Sequence, residues 1–341
     1  MKGERKMKVA VLAPVAWRTP PRNYGPWEQF ASILADGLTE AGVDVTLFAT
    51  KDSMTKAKLC WACEKPYEEN PEADAKICEY MHISQAMESA DGFDLIHNGY
   101  DFMPLTYSSL INTPMVTTIH GFSSPKILPV YRKYNRKAYY VSISNANRES
   151  SLDYIRTIYH GIPMRNYRFY PEKGNYLLFF GRIHPEKGTQ DAIKIARLLK
   201  TELIIAGIIQ DQHYFDECVK PYLSEQIRYI GPVGPEEKSS LLGNAKALLH
   251  LIHFDEPFGY SVIEALACGT PVIAMDRGSM PEILSDSKTG FLVNSAEEAS
   301  ERVKDLKIIN PAQCRREAET RFSDKRMIRD YLEVYSEILN L

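Results

Sequence analysis

Two basic and two acidic side chains carry the chemistry legible in this chain. Arg182 and Lys187 lie in Gly181-Arg182-Ile183-His184-Pro185-Glu186-Lys187-Gly188, directly after the apolar run Tyr176 to Phe180. A planar guanidinium donates paired hydrogen bonds and a mobile ammonium acts as a point charge, so two such cations at the ends of one turn suit a diphosphate. Taken alone, the same pair also reads as two solvated loop cations. Glu256 and Glu264 lie in E-P-F-G-Y-S-V-I-E-A-L-A-C-G-T-P-V-I-A, ending at Ala274. Pro257 and Gly259 allow a tight turn with free backbone N–H groups, and the helix predicted next aims the positive end of its dipole at the same point, which favours an anion. Two carboxylates bracketing that turn grip vicinal hydroxyls. Ser261 to Glu264 also fits a capping box, in which Glu264 would only close the helix entrance. Glu256, in the loop before the helix, has no capping duty.

Several common phosphate devices are missing. The chain contains no G-x-G-x-x-G, which argues against a dinucleotide oxidoreductase, and no G-x-x-x-x-G-K-[ST]. It contains no Asp-x-Asp either, so a diphosphate held through a divalent metal lacks obvious ligands. The expectation is a site without metal or other cofactor, the nucleotide-linked ligand being the substrate. Cys60-Trp61-Ala62-Cys63, with Cys78 and His82, has the donor chemistry of a zinc site. No second close cysteine pair follows, so reduced, unliganded thiols are the expectation and zinc the alternative.

The elements that must position these groups alternate. Apolar runs at Lys8 to Ala13, Val43 to Phe48, Leu95 to His97, Met115 to His120 and Tyr139 to Ser144 read as buried strands, with an amphipathic helix from Trp27 to Glu40. A second series runs through Tyr176 to Phe180, Leu203 to Ala206, Ile227 to Ile230, Ala247 to Ile252, Pro271 to Met275 and Gly290 to Val293. Strands alternating with crossovers predict an α/β fold of two doubly wound, Rossmann-like parallel sheets, facing across a ligand cleft. The predicted boundaries are 1–160, 161–323 and a C-terminal helix over 324–341 that packs back towards the first domain, with the Gly and Pro of His160 to Tyr167 as a hinge.

Composition narrows the class further. With 41 Lys+Arg against 44 Asp+Glu, 44% hydrophobic and 25% charged residues in 341, this is an ordinary globular chain of about two domains. It lacks the positive field that drives nucleic-acid binding. No apolar run is long enough for a transmembrane segment and no leader is visible, so a cytoplasmic protein is expected. Oligomeric state is not legible.

Gly-Arg-x-x-x-x-Lys-Gly and the glutamate pair separated by seven residues resemble the family 4 retaining glycosyltransferases of GT-B fold, with weaker likeness from Lys8 to about Val293. The resemblance implies that Arg182 and Lys187 hold the donor diphosphate, Glu264 the ribose and Glu256 a sugar hydroxyl. Phe258, Gly259, Tyr260 and Ser261 would complete the donor pocket. Thr118-Ile119-His120-Gly121 is similar to the family's strand end, where a histidine reaches the donor sugar; by itself His120 reads as a satisfied strand-end histidine. Relatives often carry a glycine pair in the first βα loop, whereas this chain has Asn23-Tyr24-Gly25-Pro26. Gly25 still presents an amide and Pro26 has none, so the loop is expected to shape the acceptor site. Trp17, Arg18, Tyr24, Trp27, Asn98 and Tyr100 are the acceptor-side candidates, aromatic and polar groups that suit a sugar, a pterin or a polyol. Ala13-Pro14, Trp17-Arg18, Pro20-Pro21, Tyr24-Gly25, Asp94 to Asn98 and Arg277 to Glu282 resemble the branch of UDP-glucose:tetrahydrobiopterin glucosyltransferase-like proteins, which makes a UDP-hexose the expected donor. A small or lipid-linked hydroxyl compound is the expected acceptor. Three other readings stay open: a same-fold nucleotide-sugar epimerase, a GDP-mannose-dependent mannosyltransferase and a catalytically silent nucleotide-sugar binder.

Overall fold

The predicted alternation is built as two sheets whose strand pairs are all parallel. A computed structural model describes residues 5–122 and 124–340. It forms two units, one made of the described residues up to Gly161 together with those from Asp324 on, the other of Ile162–Ser323.

In the first unit the strands are β1 (Lys8–Leu12), β2 (Asp44–Phe48), β3 (Lys58–Cys60), β4 (Leu95–Asn98), β5 (Met115–Ile119), β6 (Tyr139–Ser142) and β7 (Tyr154–Thr157), in the order β3-β2-β1-β4-β5-β6-β7. Central β1 pairs on both sides, Val9 with Val45 and with Leu95. Its alternate side chains enter different cores: Val9 and Val11 join Phe30, Leu34 and Tyr331, while Ala10 and Leu12 join Phe48, Tyr131 and Tyr140. Burial on both faces is what makes such a strand read as one continuous apolar run.

The helix Asp324–Leu339 belongs to this unit and packs on the helix Pro26–Glu40. A Cβ at Gly37 would come within 2.5 Å of Ile328 Cγ1, so only glycine permits this approach. A buried polar chain fixes the helix: Tyr335 OH is 2.6 Å from His97 Nδ1, His97 Nε2 is 3.0 Å from Thr118 Oγ1, and Thr118 Oγ1 is 2.8 Å from Tyr331 OH.

The second unit contains β8 (Leu177–Phe180), β9 (Leu203–Ala206), β10 (Ile227–Tyr229), β11 (Ala247–His250), β12 (Val272–Met275) and β13 (Gly290–Val293), in the order β10-β9-β8-β11-β12-β13. Its strand order reverses between β8 and β11, the switch point at which doubly wound sheets bind ligands. No helix among the described residues is long and apolar enough to cross a membrane.

Candidate active site

In the second unit, β8 and β11 deliver the predicted residues to their carboxyl ends. Arg182 follows β8 directly, and its guanidinium donates to Gln210 Oε1 in the loop after β9. Pro185–Lys187 forms a single 3-10 turn closed by Gly188 at φ 74°. A Cβ on Gly188 would stand 1.8 Å from Leu251 O, so this glycine lets the turn press onto the loop after β11. His253 N donates to Glu186 O at 2.7 Å and holds the contact.

That contact brings Lys187 to Glu256. Lys187 Nζ lies 2.6 Å from Glu256 Oε2, and the ammonium also sits 4.5 Å from the centre of the Phe254 ring. His250, at the end of β11, is buried with Nε2 3.8 Å from the same Glu256 oxygen. Burial pushes its imidazole down to about 4, against the pull of the Glu256 charge, so the ring is neutral at pH 7. Ser279 completes the loop's support: its N–H donates to Glu256 O at 2.9 Å and its hydroxyl to Phe258 O at 2.8 Å.

Glu264 lies on the helix Tyr260–Ala267, capped by Gly259 at φ 98° without a side-chain cap bond. The capping box is therefore not formed: Ser261 stands inside the first turn instead of ahead of it. Glu264 is 2% exposed, and its Oε1 accepts from Tyr167 OH at 2.6 Å and from Lys238 Nζ at 2.9 Å. Burial and the Glu264 charge raise the Tyr167 phenol well above its ordinary range, so it stays a donor. Arg315 Nη1 donates to both Tyr167 O and Ala267 O, at 2.6 and 2.7 Å, tying the Tyr167 segment to the carboxyl end of the Glu264 helix. Phe258 is buried, and its ring meets Tyr260 edge-on with centroids 6.0 Å apart. Sequence reasoning missed Tyr167, Lys238 and His250. They lie far from the glutamates along the chain or carry no spacing signal.

In the first unit, His120 follows β5 and is buried between stacked rings, Trp27 at 5.6 Å and His160 at 5.2 Å. Its Nδ1 is 3.3 Å from His160 Nε2, and burial pushes its imidazole down to about 3. Nearby, a cavity of about 340 Å³ is lined by Trp17, Tyr24, Gly25, Trp27 and Tyr100 of the expected residues, and also by Glu28, Tyr67, Glu79 and Asp101, which sequence reasoning did not single out. Two acceptor-side candidates lie outside this lining. Arg18 donates to Pro20 O at 3.1 Å and reaches Met54 Sδ at 3.5 Å. Asn98 is buried and donates to Asp101 O at 2.9 Å and Thr117 Oγ1 at 3.2 Å, so it shapes the strand end.

The zinc alternative is not assembled. His82 Nε2 is 2.9 Å from Ala13 O inside the core, and Cys63 Sγ reaches the Cys78 carbonyl at 3.5 Å with the Cys78 thiol beside it. Among the described residues no three His, Cys, Asp or Glu side chains are placed to share a metal ion.

Residues 164–321, nearly the whole second unit, match the family of Glycosyl transferases group 1. A D-inositol 3-phosphate glycosyltransferase of Paenarthrobacter aurescens is 25% identical over 333 residues, covering 79% of this chain and 81% of that protein. A glycogen synthase of Mycobacterium tuberculosis is 35% identical over 120 residues, which span 33% of this chain and only 29% of the relative. Among solved structures, Anabaena HepE, determined with UDP and glucose, superposes with a TM-score of 0.75 at 19% identity, over 97% of this chain and 99% of that one. The two share the GT-B fold. The second unit resembles those of group 1 glycosyl transferases, and the chain is an enzyme, a glycosyltransferase.

Proposed function

We propose that this glycosyltransferase moves a hexose, glucose first among them, from a UDP-sugar to a hydroxyl of a small or lipid-linked acceptor with retention of configuration, as in the family 4 enzymes. The observation that supports this best is the pairing of each motif glutamate with a lysine: Lys187 with Glu256 at 2.6 Å, and Lys238 with Glu264 at 2.9 Å. One pair lies by the β8 turn that carries Arg182. The other is joined by the Tyr167 hydroxyl, a set of donors and acceptors suited to ribose hydroxyls.

In this reading Arg182 and Lys187 take the donor diphosphate and Glu256, released from Lys187, takes a sugar hydroxyl. Gly259 to Ser261 present the helix entrance to the sugar side, and Gly25 offers an amide in the first unit. His120, held neutral, serves the donor sugar as an uncharged hydrogen-bonding group. No carboxylate is assigned as a nucleophile opposite the leaving group, so a double displacement is set aside. The C1–O bond to the diphosphate breaks, the acceptor oxygen bonds to C1 on the same face, and the acceptor proton passes to the departing diphosphate oxygen. Negative charge grows on the leaving group, so cations fixed beforehand stabilise the transition state more than the ground state.

The relative from Paenarthrobacter is named for a phosphorylated inositol. In this chain none of the residues lining the first unit's cavity is Lys, Arg or His, which argues for a different acceptor. Thermal stabilisation of the full chain by UDP, GDP, ADP and their sugars tests the donor assignment, because a ligand that binds only the folded state raises its melting temperature. UDP-glucose is expected to stabilise most. Preference for GDP-mannose would favour the mannosyltransferase reading, and free epimerised sugar without an acceptor product would favour the epimerase. Stabilisation without nucleotide release would favour a silent binder.

A further inference from the structure

The cavity of the first unit has an unusual charge balance for its size. Its volume of about 340 Å³ accommodates roughly one ring-sized ligand, and five aromatic residues line it: Trp17, Tyr24, Trp27, Tyr67 and Tyr100. Three carboxyl groups line it as well, Glu28, Glu79 and Asp101, and no lining residue carries positive charge. Their side-chain partners among the described residues are neutral. Tyr67 OH donates to Glu79 Oε1 at 3.2 Å and Tyr131 OH to Asp101 Oδ1 at 2.7 Å. Glu28 is 3% exposed and takes a single bond from another residue, Trp17 N to Oε1 at 3.2 Å. Its own backbone N–H also bonds the carboxyl, and Oε2 lies against Gly25, where an added Cβ would be 2.8 Å away. A carboxyl group this buried, with backbone N–H groups and no cation beside it among the described residues, is costly to ionise unless a ligand supplies positive charge.

We infer that this cavity binds a compound bearing a protonated amine, such as an aminated sugar or cyclitol, and that it rejects phosphorylated compounds. That the compound is the glycosyl acceptor rests on the function proposed above. An ammonium supplies positive charge opposite Glu28, Glu79 and Asp101, while the indole and phenol faces attract a cation beyond ordinary packing. A phosphate would bring like charge next to three carboxyl groups in a partly desolvated space, with no cation to meet it. Neutral polyols fit the aromatic walls and leave the charge uncompensated.

Matched acceptors test this with the full chain and UDP-glucose: glucose, glucosamine and glucose 6-phosphate, together with myo-inositol, an amino-inositol and an inositol phosphate. Products are identified by mass spectrometry, and donor binding is followed in parallel by thermal stabilisation. The amine forms are expected to exceed the neutral forms in kcat/KM by about tenfold or more, the scale of one charge-assisted hydrogen bond, with the phosphates inactive. Glu79→Gln should narrow that preference while leaving stabilisation by UDP-glucose intact; Glu28→Gln serves as a second variant. Equal or greater use of neutral or phosphorylated acceptors overturns the inference. So does the absence of any acceptor product in a protein that UDP-glucose still stabilises. Absence of stabilisation by any nucleotide sugar instead overturns the donor reading on which the acceptor role rests.

Discussion

Lys187 Nζ stands 2.6 Å from Glu256 Oε2, with both side chains only 14% exposed. Two residues expected to serve different parts of one donor are thus each other's partners in the free protein. Binding must exchange that pair, with diphosphate taking the lysine and a sugar hydroxyl taking the glutamate. Glu256→Gln therefore separates the two ligands. UDP itself is expected to bind as well as before or better, because Lys187 is freed, while the Michaelis constant for the UDP-sugar rises by about tenfold, the scale of a lost charge-assisted bond. Calorimetry with UDP beside steady-state kinetics checks both halves.

Lys238 makes a sharper structural prediction. Among the described residues it is the one cation paired with Glu264, which is 2% exposed. Lys238→Met leaves a buried carboxylate with only the Tyr167 hydroxyl as side-chain donor, and should cost about 3 kcal/mol of stability, the scale for breaking a buried pair on one side. Adding Glu264→Gln in that background should recover most of the loss. Denaturant unfolding of the two variants and the wild type measures it.

Glu28 sets a pH dependence. Burial pushes its carboxyl up to about 7 from an ordinary 4.5, with Tyr67, Glu79 and Asp101 sharing its cavity. Between those values the folded state binds more protons than the unfolded one, so this group's contribution falls as pH rises from about 4.5 through 7, by at most about 3 kcal/mol. Neutral histidines act in the opposite direction: burial holds His97 and His120 near about 3, so they weaken the fold as pH drops below 6.5. The difference between wild type and Glu28→Gln isolates the carboxyl. Relative to wild type, the variant should gain stability on going from pH 5 to pH 8, as read from urea midpoints at each pH.

Gly188 carries a geometric prediction. Its φ of 74° and the 1.8 Å gap between a built Cβ and Leu251 O leave no room for a side chain. Gly188→Ala should displace the Lys187 turn from the loop after β11, destabilise the second unit by about 2 kcal/mol or more, and weaken UDP binding. Thermal unfolding with and without UDP checks it.

Most strands of the two sheets were legible because burial on two faces leaves unbroken apolar runs, as in Leu177 to Phe180 and Leu203 to Ala206. The strands Lys58–Cys60 and Tyr154–Thr157 were not, since they lie at the sheet's edges and are no more than partly buried. Glu256 and Lys187 were visible as types near glycine turns; their direct contact was not, because 69 positions separate them along the chain. Ser261 to Glu264 misled for a physical reason. The sequence pattern of a capping box is satisfied, but the helix starts two residues too early for Ser261 to be its cap, and Glu264 turns to Tyr167 and Lys238 instead. The acidic cavity gave no signal at all: Glu28, Glu79 and Asp101 come from three separated segments that only the fold brings together.

Arg182 and the charge that develops on the departing diphosphate carry the proposed chemistry. Steady-state kinetics of Arg182→Ala with UDP-glucose and an accepted acceptor should show the turnover number falling by about 100-fold or more, the loss expected when a preorganised charge stabiliser is removed. A variant whose Michaelis constant alone rises, with turnover unchanged, would contradict it.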